Sequence, residues 1–286
     1  MTTSISSETH MNISCKRVVR VVVWTMSAVA VGFALSCKDA LKVSDPQNFS
    51  TENLDDPAIL QAVANGVEGQ FQQTFDDVVV VTELNSDEVE DTSTWIDWAD
   101  ISTGRLRGDW ATGGSFSGPQ DELLRARFSA QDAAARFTRV LGADAAKSKL
   151  MAQVKTVEAW SDLINGMAYC EAPLTPGGPR APDTELYKQA VTKMTDALSV
   201  ATAANASEWT NFARAGRARA NLLAGNYDAA LADAQAVPAG FLKQALYGTS
   251  SSTSFPGNQF HQNRNRSGSL RRLFWSAVDT TQNAQT

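Results

Sequence analysis

The chain has little cysteine and almost no histidine. Its 286 residues include three cysteines. Cys15 lies in a predicted export signal and Cys37 is a predicted lipid site, as argued below, so only Cys170 remains free to pair. An intramolecular disulfide framework in the mature protein is therefore excluded, and we expect Cys170 to be a small apolar filler near a helix end. The histidines are His10 and His261. Two histidines exclude a His-rich metal site. Because His10 lies in the predicted signal, a serine–histidine–aspartate triad would have only His261 as its base.

The charge balance and the motifs argue against two further classes. With 25 basic and 31 acidic residues the net charge is −6, which disfavours nucleic-acid binding. No nucleophile motif, metal-ligand spacing or phosphate loop is present, so we expect no enzyme, cofactor or metal. The acidic stretch 87–91 lacks the spaced pattern of a calcium loop, and we expect a solvated face there. Asp76 and Asp77 point apart on a helix, which argues against a glycosidase acid/base pair.

The N-terminus has the layout of an export signal. Basic residues at positions 16, 17 and 20 precede an apolar run from Val21 to Leu35. This run has the length of a signal-peptide core and is too short for a transmembrane helix of roughly 20 apolar residues. We therefore predict that residues 1–36 are removed. Met11 is an alternative to Met1 as the start, because the signal proper begins just after it.

The apolar run ends in a possible lipidation site. Ser36 is a small residue directly before Cys37, and the string Phe33 to Cys37 resembles a lipobox, the processing site of bacterial lipoproteins. The alternative is an ordinary cleaved signal with a chance cysteine; we favour lipidation of Cys37. Lys38-Asp39 resembles the signal for surface display of lipoproteins. Residues 37–53 have no helical period and are predicted to be a tether.

The next part of the chain is patterned for helices. Asp56-Pro57 is a good helix start, since Asp caps and Pro suits the first turn. Apolar residues then recur every four positions from Ile59 to Phe75. The run Val78–Val81 would suggest a strand alone, but between helical patterns we interpret it as the buried part of a second helix. Further helices are predicted at 120–141, 146–169, 183–204, 208–223 and 227–236, with a four-proline loop at 171–182.

One stretch of the helical region has a repeat signature. Residues 211–238 carry the turn Gly225-Asn226-Tyr227, a small Ala230 three residues later and a closing Pro238. This resembles a degenerate tetratricopeptide repeat. We therefore predict a mostly α fold in which residues 54–247 form tetratricopeptide-like helix pairs with irregular loops. Residues 248–286 are predicted to be loop-rich.

A lipoprotein signal followed by such helix pairs resembles the SusD/RagB family of nutrient-uptake outer-membrane lipoproteins. Three strings carry the likeness, in the family's order: an Ala-rich helix leaving into a Pro-Leu loop at 152–174, the following helix at 184–201, and a helix pair at 212–237. Family members are usually longer, so we expect a short or truncated member.

The resemblance implies both a function and a location. Such proteins are lipid-anchored at the outer membrane, face the cell surface and capture oligosaccharides or peptides for a TonB-dependent, SusC-like transporter. An alternative is a tetratricopeptide lipoprotein that scaffolds envelope assembly, which the helix pairs support equally.

An acidic and aromatic segment at 83–110 supplies the candidate ligand site. Its tryptophans are Trp95, Trp98 and Trp110. Glycan-binding members of the resembled family use exposed aromatic rings as stacking platforms, which makes these three residues ligand-binding candidates. The other interpretation is that they pack against helices, as large aromatic side chains usually do.

The lipidation site gives a direct test. Cys37→Ser removes the thiol that would take the lipid, so we expect the protein to lose its acyl mass and leave the membrane fraction. Mass spectrometry and membrane fractionation measure both effects, and Cys170→Ser is the matched control. Retention of Cys37→Ser in the membrane fraction with unchanged mass would contradict the prediction.

Overall fold

The computed structural model describes residues 53–86, 88–91, 96–104, 118–247 and 270–271. The predicted signal peptide, Cys37, most of the tether and His261 lie outside these residues. The part of the chain that is described is mostly helical with little strand, as predicted.

Seven α-helices occur within the described ranges. They are α1 Leu60–Asn85, α2 Ile96–Ser102, α3 Pro119–Leu141, α4 Lys149–Ala168, α5 Asp183–Ala203, α6 Ser207–Leu223 and α7 Tyr227–Ala236. Short 3-10 helices lie at Asn53–Asp55, Pro57–Ile59 and Gly142–Lys147. The strands β1 Glu90–Asp91 and β4 Leu270–Arg271 pair with each other antiparallel, as do β2 Glu171–Pro173 and β3 Arg180–Pro182.

The first helix begins where its cap predicts and then runs further than expected. Asp56 accepts a hydrogen bond from the Ala58 N–H at 2.9 Å, and the chain enters α1 through a 3-10 turn. The run Val78–Val81 belongs to this same helix, so the prediction of a separate second helix is wrong. No Gly or Pro interrupts the chain between Phe75 and Val78, and Val80 is fully buried against α2.

Helices α3 to α7 follow one another in an up-and-down succession. For α3 and α4, α4 and α5, and α6 and α7, the residue numbers of the contacting partners increase along one helix as they decrease along the other, so the helices of each pair are antiparallel. Helices α5 and α6 are antiparallel because a short turn joins them and Arg217 of α6 donates to the Thr195 hydroxyl of α5. Three-residue turns join α5 to α6 and α6 to α7. The defining contacts are Arg127–Asp162 and Gln131–Glu158, Lys155–Asp196 and Tyr187–Gly166, and Arg214–Ala236 and Arg217–Asp233.

The proline-rich loop between α4 and α5 forms a short hairpin. Its carbonyls are held by side chains from neighbouring helices: Gln120 donates to Glu171 O at 2.8 Å, and Gln189 donates to Leu174 O at 3.0 Å. Cys170, which begins this loop, is exposed, so the prediction that it fills an apolar gap is wrong. The helix ends at Ala168, two residues earlier, and the chain has already turned outward there.

Small residues let α4, α5 and α6 approach closely. Several alanines at their interfaces are fully buried, including Ala190, Ala197 and Ala213. At Gly216 a Cβ would lie 2.4 Å from Met194 Cε and 2.9 Å from Trp160 Cε2. A larger residue there would require the Met194 and Trp160 side chains to move.

A buried charge network joins the same helices. Asp162 is fully buried and binds the Arg127 guanidinium at 2.9 Å and the Lys193 ammonium at 2.6 Å. Lys193 also binds Glu158 at 2.8 Å, and Arg127 donates to Pro173 O at 2.7 Å. Burial raises the pKa of the Asp162 carboxyl, and the Lys193 and Arg127 cations limit that rise.

Removing the buried Asp162 charge should lower the free energy of unfolding far more than removing a surface charge. Asp162→Asn leaves the buried Arg127 guanidinium without its anion, whereas Lys193 keeps Glu158, and we expect a loss of about 3–5 kcal/mol in the free energy of unfolding. The control Asp196→Asn breaks a surface ion pair with Lys155, which joins α4 and α5, and should lower the free energy of unfolding by less than about 1 kcal/mol. Urea unfolding measures both variants, and equal losses would contradict the prediction.

Candidate functional site

A cleft lined by aromatic side chains lies between α1, α4 and α6. Its volume is about 250 Å³. Residues 239–247, here called the crossing segment, follow α7 and supply Lys243, Gln244 and Ala245 to its lining. The aromatic residues of the lining are Phe71, Phe75, Trp160, Trp209 and Phe212.

Helical spacing places the lining residues on single faces. On α1, Phe71 and Phe75 are four residues apart, and on α4 Trp160 and Ile164 are four apart. Residues four apart lie one above the other on a helix. Each helix therefore presents one apolar stripe to the cleft, and Phe75 remains 39% exposed there.

The aromatic rings at the centre of the cleft pack against one another. Trp160 and Phe212 stack with ring centroids 4.8 Å apart and an interplanar angle of 17°. The Trp160 indole N–H also donates to Phe212 O at 3.3 Å. Trp209 meets Phe212 at 6.2 Å in a tilted arrangement. This wall is rigid because each ring is fixed by packing against another ring or by a hydrogen bond.

Lys243 holds the crossing segment against two helices. Its ammonium lies 2.7 Å from Glu68 on α1, 2.6 Å from Glu208 on α6 and 4.3 Å from the Trp209 ring centroid. Burial acts to lower the pKa of Lys243, but hydrogen bonds to Glu208 and Glu68 raise it above the ordinary lysine value. The lysine is therefore charged, and one end of the cleft carries a single ammonium held between two carboxylates.

The end of the crossing segment is tied to α1. The Leu246 N–H donates to Gln72 Oε1 at 3.1 Å, and the Tyr247 hydroxyl donates to Gln72 O at 2.9 Å. Together with Lys243 these contacts bring the crossing segment alongside the aromatic wall.

The cleft has two chemically different ends. Helix α1 is antiparallel to α3, because Asp55 meets Arg136 and Asp77 meets Glu122; α3 is antiparallel to α4, so α1 and α4 run in the same direction. Helix α6 also runs in this direction, because α5 is antiparallel to both α4 and α6. Glu68 and Lys243 therefore mark one end, and Arg219 on α6 lies toward the other with Phe75 and Met167.

Of the three tryptophans predicted from the sequence, only Trp98 lies within the described residues, and it is not part of this cleft. Trp98 is only 2% exposed and packs in a cluster with Val80, Leu84 and Ile101. That burial leaves Trp98 no exposed face for a sugar ring, and it matches the packing interpretation. Trp95 and Trp110 lie outside the described residues. Trp209 and Trp160, which do line the cleft, were not among the site residues predicted from the sequence.

A carboxyl cluster lies where α1 meets α3. Burial, the nearby Glu122 and Asp76 charges and a hydrogen bond with Glu122 together raise the pKa of Asp77 to about 7. From the sequence only Asp76 and Asp77 could be paired. Glu122 comes from a helix 45 positions away, and nothing local in the sequence signals its approach.

Comparisons with known proteins add no further identification: no family model, curated protein or solved structure matches this chain. Among the described residues, no group of three or more histidine, cysteine, aspartate or glutamate side chains is arranged to hold a metal ion. Within the same residues, every helix is too short or too polar to cross a membrane.

The raised pKa of Asp77 predicts a pH-dependent stability. The folded chain binds a proton at Asp77 up to about pH 7, whereas the unfolded chain releases it near pH 4, so the free energy of unfolding should fall as pH rises between these values. Asp77→Asn should remove the contribution of Asp77 to this decrease and raise the free energy of unfolding above pH 7. Thermal unfolding from pH 5 to 9 measures it, with exposed Asp228→Asn as control. Parallel profiles for Asp77→Asn and the wild type would contradict the prediction.

Proposed function

We propose that this protein is a lipid-anchored, outer-membrane binding protein that captures a nutrient, an oligosaccharide or a peptide, for a partner TonB-dependent transporter. Cys37 carries the lipid, and the protein faces the cell surface. The sequence supports this through the signal, the lipobox and the ordered SusD/RagB-like strings.

The aromatic cleft is the observation on which the binding role rests. Pockets that bind small molecules are concave and mostly apolar, with a few polar groups that fix orientation. The lining has this composition, with Trp160 and Phe212 at its centre and Lys243 and Arg219 among its polar groups. The cleft, rather than Trp98, is thus the ligand site in this proposal.

The helices also fit a tetratricopeptide-like scaffold. In such a scaffold α4/α5 and α6/α7 are the two pairs, and stacked repeats form an extended concave binding surface. Helices α4 and α6 both line the cleft, which supports that arrangement. The turn before α7 has Gly225 in the left-handed region, with a φ of 82°, and Ala230 is buried at the position where the repeat needs a small residue.

Purification from native outer membranes tests the proposed partnership. Affinity-tagged full chain should co-purify with a TonB-dependent transporter, and Cys37→Ser should lose that partner because it is no longer held at the membrane. Cys170→Ser should retain it. Recovery of the anchored protein from the outer membrane without any TonB-dependent transporter would contradict the proposal.

A scaffold for envelope assembly is the second candidate, favoured by one surface. At the hairpin of α6 and α7, apolar side chains are exposed, with Tyr227 68% and Leu231 58% accessible. Exposed apolar patches mark interaction sites in soluble proteins. Recovery of an outer-membrane assembly porin in place of the transporter, in the same purification, would favour this function.

A further inference from the structure

The polar groups at the Glu68 end of the cleft are already engaged with one another. Glu68 accepts from Lys243 at 2.7 Å, from Gln153 at 2.7 Å and from Gln72 at 3.0 Å. Lys243 is shared with Glu208, and the Gln72 amide oxygen accepts from Leu246. These groups have little capacity left for a ligand.

Among the described residues of the lining, Arg219 is the cation that is not engaged in this way. It is exposed, and among the described residues it has no hydrogen-bond or ion-pair partner. Lys243 is held between Glu68 and Glu208 at the other end of the cleft, so Arg219 supplies the positive charge at its own end. A guanidinium has the planar, two-pronged geometry that matches a carboxylate.

The length of the cleft limits the ligand. Seven residues of α1 separate Glu68 from Phe75, a distance of about 10 Å along the helix axis. A volume of about 250 Å³ lies just below the usual range for small-molecule pockets. The space between the two ends therefore suits one ring with a short chain.

We propose that the cleft binds a flat aromatic group that carries a carboxylate on a short chain, with the ring among Phe71, Phe75 and Trp160 and the carboxylate on Arg219. A free aromatic acid and the C-terminal aromatic residue of a short peptide share this chemistry. The inference rests on the proposed capture function and specifies its ligand.

The same features disfavour an oligosaccharide in this cleft. A sugar brings many hydroxyl groups, and each loses its hydrogen bonds to water on entering the cleft. Glu68, Gln72 and Lys243 are occupied and cannot replace them. An aromatic ring needs no such replacement and gains edge or face contacts with the aromatic walls.

Isothermal titration calorimetry on the full chain tests the ligand class with four probes. They are 3-phenylpropionate, its neutral amide 3-phenylpropanamide, the tripeptide Gly-Gly-Phe and maltotetraose. We expect both carboxylates to bind, the amide to bind about tenfold more weakly than 3-phenylpropionate, and the sugar not to bind. Comparing 3-phenylpropionate with Gly-Gly-Phe distinguishes a free acid from a peptide.

Two variants with matched controls locate the binding. Arg219→Gln should weaken 3-phenylpropionate about tenfold and leave the amide unchanged, whereas Arg125→Gln, an exposed arginine of α3, should change neither. Phe75→Ala should weaken both ligands, and Phe128→Ala, an exposed phenylalanine outside the lining, should not. Both target residues are exposed, so the variants should fold.

The outcomes separate the ligand class from the capture function. The inference is overturned if the amide binds as tightly as 3-phenylpropionate, if no carboxylate binds, or if maltotetraose binds and Phe75→Ala abolishes it. In each case co-purification with a TonB-dependent transporter would leave the capture function standing. If no such transporter co-purifies but the carboxylate still binds through Arg219, the capture function fails and the cleft assignment holds.

Discussion

The carboxylate of Asp162 is the point at which three helices and a loop meet. It lies on α4 and binds Arg127 of α3 and Lys193 of α5, and Arg127 also holds Pro173 O in the hairpin. Three charged groups removed from water are tolerated only with close, complementary contacts. This requirement sets the registers of α3 and α5 on α4 more narrowly than alanine and leucine packing would, because apolar contacts have no direction.

The position of α4 in turn determines the cleft. Asp162 and Trp160 are two residues apart, so they point to nearly opposite sides of the helix. With Asp162 turned to α3 and α5, Trp160 is turned to α6 and stacks on Phe212. Gly216 allows this approach, since any Cβ at that position would collide with Trp160 and Met194. The buried charges and the aromatic wall are two consequences of one helix orientation.

Much of the helix pattern was predictable, and the reason is local. The bounds predicted for the helices from 120 to 236 lie within three residues of those observed, because the 3.6-residue period, the caps and the prolines are all local signals. The break predicted before Val78 failed because four β-branched residues in a row carry no period, and only burial against α2 showed them to be helical. Trp98 could not be assigned from sequence, since an indole in an acidic segment suits either a core or a platform.

The sequence by itself determined the helical segments from 120 to 236 and the scarcity of cysteine and histidine, and it predicts an export signal with a candidate lipid site at Cys37. Tertiary structure decided which side chains meet. Glu68, Trp160 and Lys243 are far apart in the chain, as are Asp77 and Glu122, and their approach depends on helix orientations that no local pattern encodes. Such orientations arise from many long-range contacts acting together, and for this reason the cleft was visible only in the folded chain.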